Sequence, residues 1–326
     1  MAPAKREIVT IGLGATGWTI ETRGCPAAAQ GLADILTGWS PIIRREPPAG
    51  AVMASVSRHG QGYRWQGDHP KPLLWQRKPP KTDVHVVADL HDVLFDWFLA
   101  ERTDHLCLHA AAARMGDGLV VFPCVAQAGK SVLTVALAQA GATVFCDDVL
   151  PIAPGGRSGV AFGVAPRLRN PLPRIVTRRF NDFVKKRMGP SDDHWIYACL
   201  QPGEIASHGE TAPIKAFILL SRQRSGPARL EPAKPSEILS EVIAQNFARD
   251  VPALEAFDRL AATVQNSRCH RLSYANPEEA ARYLMREFGA EPKPLSKRAA
   301  PRATARKSKP KRSKATAIRR SRRSKT

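Results

Sequence analysis

Residues 120–134, VVFPCVAQAGKSVLT, constrain the fold of this chain more than any other stretch. An apolar run at 120–122 meets Pro123, residues 124–131 form a loop, and a helical pattern covers 132–140. Strand, short loop and helix in that order aim backbone amides and a helix N-terminus at one point, which suits an anion. The loop closes with Gly129-Lys130-Ser131, the second half of the phosphate-loop pattern G-x-x-x-x-G-K-[ST], but Cys124 stands where the first glycine belongs. In that pattern the lysine serves the β- and γ-phosphates and the hydroxyl serves Mg²⁺.

The tripeptide alone carries little weight, since average usage produces it in about one chain in six of this length. Its context adds more. A second apolar run, TVFC at 143–146, delivers Asp147-Asp148 shortly after the predicted helix. Phosphoryl transfer needs one carboxylate for the metal and one for the proton of the attacking hydroxyl. Without the loop, a turn or helix cap would be the simpler reading of an Asp pair.

The rest of the chain sorts into elements by periodicity. Gly12, Gly14 and Gly17 match G-x-G-x-x-G, but residues 18–23 are strand-like, so a glycine-rich hairpin is predicted rather than a dinucleotide fingerprint. A helix is expected over 27–36, and a second hairpin over 52–65 with Gly60 and Gly62 at its turn. Residues 84–90 read as a short strand or the first turn of an amphipathic helix whose pattern runs from Val93 to Leu99. Residues 106–114 read as one strand, closing a hairpin into 119–122, and residues 143–153 as another. Further on, 214–220 is a strand, and 236–247 and 277–288 are helices. Residues 1–82 therefore form a small α+β N-terminal extension, 83–290 an α/β domain that carries the loop, and 291–326 a tail.

The stretch LCLHAAAARMGDGLVVFPCVAQAGKSVLTVALAQAGATVFCDDVLPI resembles the core of the HPr serine kinase/phosphorylase family, in the group without that enzyme's N-terminal regulatory domain. His109 before the loop, Gly129-Lys130-Ser131 and Asp147-Asp148 carry the resemblance; it extends weakly to VAPRLRNPLP and IKAFILL. It implies an α/β P-loop kinase core like that of HPr kinase and phosphoenolpyruvate carboxykinase, using ATP and Mg²⁺ to phosphorylate a serine or other hydroxyl of a protein or peptide acceptor. Position by position it implies Gln127, Ala128, Gly129, Lys130 and Ser131 on the nucleotide. Ser131 and Asp148 fall on the metal, and Asp147 is the base with His109 as its partner. His109 has a second reading as a satisfied core histidine. Arg167 and Arg169 read either as a clamp on phosphate or acceptor or as a solvated edge. Assembly into a homo-oligomer is also implied.

The family's loop typically reads G-x-S-G-x-G-K-S. Here Cys124 and Gln127 replace its first two glycines and Ala126 its serine. A side chain at a position that needs positive φ costs about 1–2 kcal/mol. No proline intrudes, so no donor amide is lost, and a weakened rather than abolished loop is expected. The alternative function is a nucleotide-binding or pseudokinase-like accessory protein.

The net charge of +20 is concentrated at one end: residues 291–326 hold 15 of the 49 Lys/Arg and one of the 29 acids, leaving +6 on the remainder. That tail has almost no large apolar residues and is expected to be disordered. Its cations suit nonspecific nucleic acid or an acidic partner. The N-terminal MAPAKREIVTIG lacks a signal-peptide apolar region and no run reaches membrane-spanning length. The six cysteines show no C-x-x-C pair. A cytoplasmic protein is expected, without membrane contact.

Overall fold

The computed structural model describes residues 7–14, 16–67, 81–123, 128–248 and 250–289. Cys124 to Gln127 and the basic tail therefore lie outside the described residues. The chain to Glu291 forms one compact unit. It is a mixed α/β structure with seven α-helices among the described residues and three sheets.

The first sheet has the order β3-β1-β2-β4-β5. Strands β1 (Ile8–Leu13) and β2 (Trp18–Arg23) form the glycine-rich hairpin, with Leu13 opposite Trp18. Gly17 takes a φ of 72° in that turn, which explains a glycine there. After β3 (Pro41–Arg44), strands β4 (Ala54–His59) and β5 (Gly62–Gly67) make the second hairpin. Helices α1 (Pro26–Ile35) and α2 (Asp83–Glu101) pack against each other, and their apolar faces share one core with this sheet.

Residues 84–90 lie wholly within α2, so the short strand does not form. Val84, Val86 and Val87 favour a strand in isolation. The Thr82 hydroxyl, however, accepts from the His85 amide at 3.2 Å, and Val86, Val87, Leu90 and Leu94 are fully buried. Capping and tertiary burial outweigh a propensity difference of a few tenths of a kcal/mol per residue.

The second sheet runs β6-β10-β11-β15-β8-β7-β9, with β16 (Arg229–Pro232) and β17 (Arg268–Tyr274) attached beside β15. At its centre β8 (Gly118–Pro123), buried at every position, lies parallel to β15 (Thr211–Arg222), which is parallel to β17. The carboxyl ends of these three strands point the same way. The chain leaves β8 for the loop and enters α3 (Lys130–Gln139). Ligands of α/β sheets sit at that end of parallel strands.

Two expected single strands are each divided. Residues 106–115 split into β6 (Leu106–Leu108) and β7 (Ala110–Met115), and 143–152 into β9 (Thr143–Cys146) and β10 (Leu150–Ile152). At His109 the backbone amide leaves the ladder to bond the Gln245 carbonyl at 2.9 Å. The register is the same on both sides of the breaks: Leu108 faces Leu150 and Ala112 faces Cys146. By that register His109 falls opposite Val149, directly after Asp147-Asp148 in the other interruption, and the ladder shifts by one residue beyond Ala112.

Beyond β11 (Ser158–Val160), a third sheet, β12-β14-β13, is built from Arg167–Arg169, Trp195–Ala198 and Met188–Ser191. Helices α4 (Arg178–Lys185) and α7 (Pro277–Phe288) are tied at their N-termini by buried Glu278. Its carboxylate accepts from the Thr177 amide and hydroxyl, both at 2.8 Å. Helices α5 (Pro235–Ala244) and α6 (Ala253–Gln265) pack together and contribute Ile238, Val242, Leu260 and Val264 to the core under the second sheet. The five cysteines among the described residues are free.

Candidate functional site

Where β8 gives way to α3, Gly129 takes a φ of 95°. A Cβ built there would meet the Tyr274 hydroxyl at 2.9 Å and the Arg222 Cδ at 3.1 Å. Both conformation and space require glycine at this position. Lys130 and Ser131 follow as the first helical residues, so their side chains leave the helix at its positive end. Ala128, at the close of the loop, is half-buried.

These residues open on a cleft of about 510 Å³, within the range of small-molecule sites. The cleft is lined by Gly129, Lys130 and Ser131 on one side and by His109, Asp147 and Asp148 on another. Every expected site residue that the structure describes, apart from Ala128, thus faces one cavity. Gln127 is outside the described residues.

The His109 Nε2 lies 2.7 Å from Asp148 Oδ1 and 3.4 Å from Lys130 Nζ. A ring nitrogen cannot donate to the carboxylate and accept from the ammonium at once. The shorter contact is a strong charge-assisted length and the longer one is marginal, so Nε2 carries the hydrogen and donates to Asp148. That hydrogen bond holds the Asp148 carboxyl below the usual carboxylate range. Asp148 itself is open to the cleft, with 56% of its side chain exposed.

Asp147 sits in a different environment. It is 8% exposed, and burial pushes its pKa up to about 6, reinforced by the neighbouring Asp148 charge. The Ser131 hydroxyl, the Arg167 amide and the Lys130 charge pull the other way. Its Oδ2 accepts from the Arg167 amide at 3.3 Å, while Oδ1 is buried and meets no hydrogen-bond partner among the described residues. An adjacent pair of carboxylates is thereby split into an exposed member that histidine keeps ionised to low pH and a buried member next to serine that gives up its proton only near pH 6. Such separation of paired acids is how two like groups take two roles.

The histidine therefore pairs with Asp148, whereas the resemblance implied Asp147 as its partner. Among the described residues, no group of three or more His, Cys, Asp or Glu is arranged to hold a metal on its own. A serine hydroxyl with one carboxylate is the partial donor set that Mg²⁺ takes when nucleotide phosphates and water complete its shell. Ser131 and the unpartnered Oδ1 of Asp147 fit that description.

Several lining residues carried no recognisable sequence signal. His91 comes from α2, Phe162 from the segment after β11, Trp195 and Tyr197 from β14, and Arg222 from the end of β15. Their separation from the loop runs to dozens of residues in either direction, and only the fold joins them. Arg222 and Tyr274 are a register pair on the parallel strands β15 and β17, which places both beside Gly129.

No protein-family model matches this chain, and no curated protein matches it. Among solved structures it is similar to the HPr(Ser) kinase/phosphatase from Coxiella burnetii. That likeness has 12% identity, covers 56% of this chain and 92% of the other, and has a TM-score of 0.28. A likeness at that level carries no argument about function, which must come from the cleft itself. No helix among the described residues is long and apolar enough to cross a membrane.

Proposed function

We propose that the cleft transfers the γ-phosphoryl group of ATP to a hydroxyl of a protein or peptide acceptor. The observation that carries this reading is the convergence of Lys130 and Ser131, at the N-terminus of α3, on an acid pair whose members are electrostatically distinct. Lys130 and the first amides of α3 bind the β- and γ-phosphates. Ser131 and Asp147 hold Mg²⁺ carried in with the nucleotide, which supplies neutralisation of phosphate charge when bound.

The geometry favours exchanging the two aspartate roles that the resemblance implied. Asp148, exposed, ionised and oriented by His109, accepts the proton of the acceptor hydroxyl. The acceptor oxygen forms a bond to the γ-phosphorus as the bond to the β,γ-bridging oxygen breaks, and ADP leaves with that electron pair. His109 is a positioning residue that keeps Asp148 turned into the cleft.

Calorimetric titration of the full chain with Mg·ATP at physiological salt, beside Lys130→Met and Lys130→Ala, tests the reading. Micromolar binding that both variants lose, followed by transfer of labelled γ-phosphate to protein acceptors, is expected. Binding without any turnover would identify a nucleotide-binding accessory protein instead. No binding at millimolar Mg·ATP would overturn the proposal.

A further inference from the structure

The wall of the cleft formed by the third sheet is not used by the nucleotide reading. Arg167 and Arg169 stand two apart on β12, so their side chains share one face. In the antiparallel register Arg167 faces Tyr197 and Arg169 faces Trp195, and all four line the cleft. The guanidinium carbons lie 4.8 Å (Arg167) and 5.8 Å (Arg169) from the centre of the Trp195 ring. One indole therefore braces both cations, which removes much of the rotamer entropy that a flexible arginine loses on binding.

Neither arginine forms an ion pair among the described residues. Arg167 interacts with the Tyr197 hydroxyl and feels the Asp92 and Asp148 charges from beyond ion-pair distance, while the exposed Arg169 has neither among the described residues. Two guanidinium forks fixed on an aromatic plane inside a cleft match the requirement for binding an oxyanion through paired N–H donors. The wall also has a fixed relation to the acid pair, because the backbone amide of Arg167 bonds Asp147. The phosphate-loop side of the cleft has its own cations, Lys130 and Arg222.

We propose that the Arg167–Trp195–Arg169 wall selects an acceptor that carries an oxyanion, carboxylate or phosphate, close to the hydroxyl that is phosphorylated. This inference rests on the kinase reading above and specifies the substrate class of that same site. A neutral alcohol leaves Arg169 without a charged partner and Arg167 with only the more distant Asp92 and Asp148. An anionic neighbour satisfies them and holds the hydroxyl in front of Asp148.

The test uses the full chain and three small probes: glycerol, D-glycerate and glycerol 3-phosphate. These share a hydroxyl and differ in having no anion, a carboxylate or a phosphate. Each is titrated calorimetrically with and without saturating Mg·AMP-PNP, into the wild type, Arg169→Gln and Arg169→Lys. At least one anion should bind the wild type more than tenfold tighter than glycerol, and the tighter of the two identifies the oxyanion. Arg169→Gln should weaken that binding about tenfold, with Arg169→Lys intermediate and Mg·AMP-PNP affinity within twofold of wild type. Equal binding of anions and glycerol would overturn the proposal. So would an Arg169→Gln variant that loses nucleotide affinity but keeps its anion affinity, since the wall would then belong to ATP. If Mg·AMP-PNP itself does not bind, the kinase reading fails separately, and the nucleotide-free titrations still decide whether the wall is an oxyanion site. Anion uptake by the basic tail is the same in all three proteins and cancels between wild type and variants, so the loss in Arg169→Gln, rather than the anion-to-glycerol ratio alone, assigns the binding to the wall.

Discussion

His109 donates from Nε2 to Asp148 across 2.7 Å, and the two residues meet because each occupies a break in one of two antiparallel strands that share a register. A continuous pair of strands would put ladder hydrogen bonds here and leave no room for reacting groups. The breaks cost backbone pairing, and at His109 the Gln245 carbonyl offsets part of that cost by accepting the amide.

If Asp148 is the base and His109 acts through it, their substitutions are not additive. Asp148→Asn should lower Mg-dependent ATP turnover by roughly a hundredfold or more, the usual contribution of a positioned general base. His109→Gln should lower it less, and the double variant should be no slower than Asp148→Asn alone. Nucleotide affinity measured on the same three proteins should stay near wild type. A double variant slower by the product of the single effects would show that His109 has a task of its own.

Glu278 separates fold from chemistry. It is 3% exposed and its two oxygens hold the N-cap residue of α4 from the first turn of α7. Glu278→Ala removes two hydrogen bonds that a buried carboxylate accepts from the exposed Thr177, whose amide and hydroxyl can turn to water, and should cost about 1–2 kcal/mol in urea denaturation. The cleft lies elsewhere in the fold, so Mg·ATP affinity of the folded fraction should change by less than twofold. A large change in affinity would connect α4 to the site.

The strand ending at Pro123, the helix from Lys130, both N-terminal hairpins and the helix at 277–288 were legible because each rests on local signals: apolar period, turn glycines, and Pro277 with Glu278-Glu279 at a helix N-terminus. The breaks at His109 and Asp147 were not legible, since they follow from which strand lies alongside, a nonlocal fact. The same reason hides α6, whose first turn exposes Leu254 and whose Phe257 is half exposed, blurring its apolar stripe. At the site, the residue types were readable but the pairing was not. Adjacent aspartates point to opposite sides of an extended chain, and which one is buried depends on β12 lying over Asp147. Arg167 and Arg169 were visible as a pair, while Trp195, which braces them, arrives from a different strand.

Gly129 is a further point of leverage. Gly129→Ala places a side chain at a φ of 95°, costing about 1–2 kcal/mol, and brings its Cβ within 2.9 Å of the Tyr274 hydroxyl. Mg·ATP binding should fall by tenfold or more, with thermal stability reduced. Adding Tyr274→Phe removes the nearest clashing atom and should recover part of the stability, but the backbone strain remains and affinity should stay low. Full recovery of affinity would show that steric crowding rather than backbone geometry sets the need for glycine.

Asp147 gives the site a pH dependence with a definite sign. Its folded pKa of about 6 lies above the unfolded carboxylate value. Between these two values the folded state binds more protons than the unfolded one, so stability falls as pH rises through that window and the loss is complete above about pH 6. Burial thus costs the ionised carboxylate about 1–3 kcal/mol at neutral pH. Asp147→Asn should therefore raise the unfolding free energy at pH 8 by about 1–3 kcal/mol and change it little at pH 4, measured without nucleotide. Nucleotide affinity should run the opposite way. Mg·ATP requires the carboxylate, so wild-type affinity should weaken as pH drops below about 6, and Asp147→Asn should bind Mg·ATP weakly at every pH. A variant less stable than wild type at pH 8 would show that burial does not disfavour the Asp147 carboxylate, and one whose Mg·ATP affinity is unchanged would remove Asp147 from the metal-binding role.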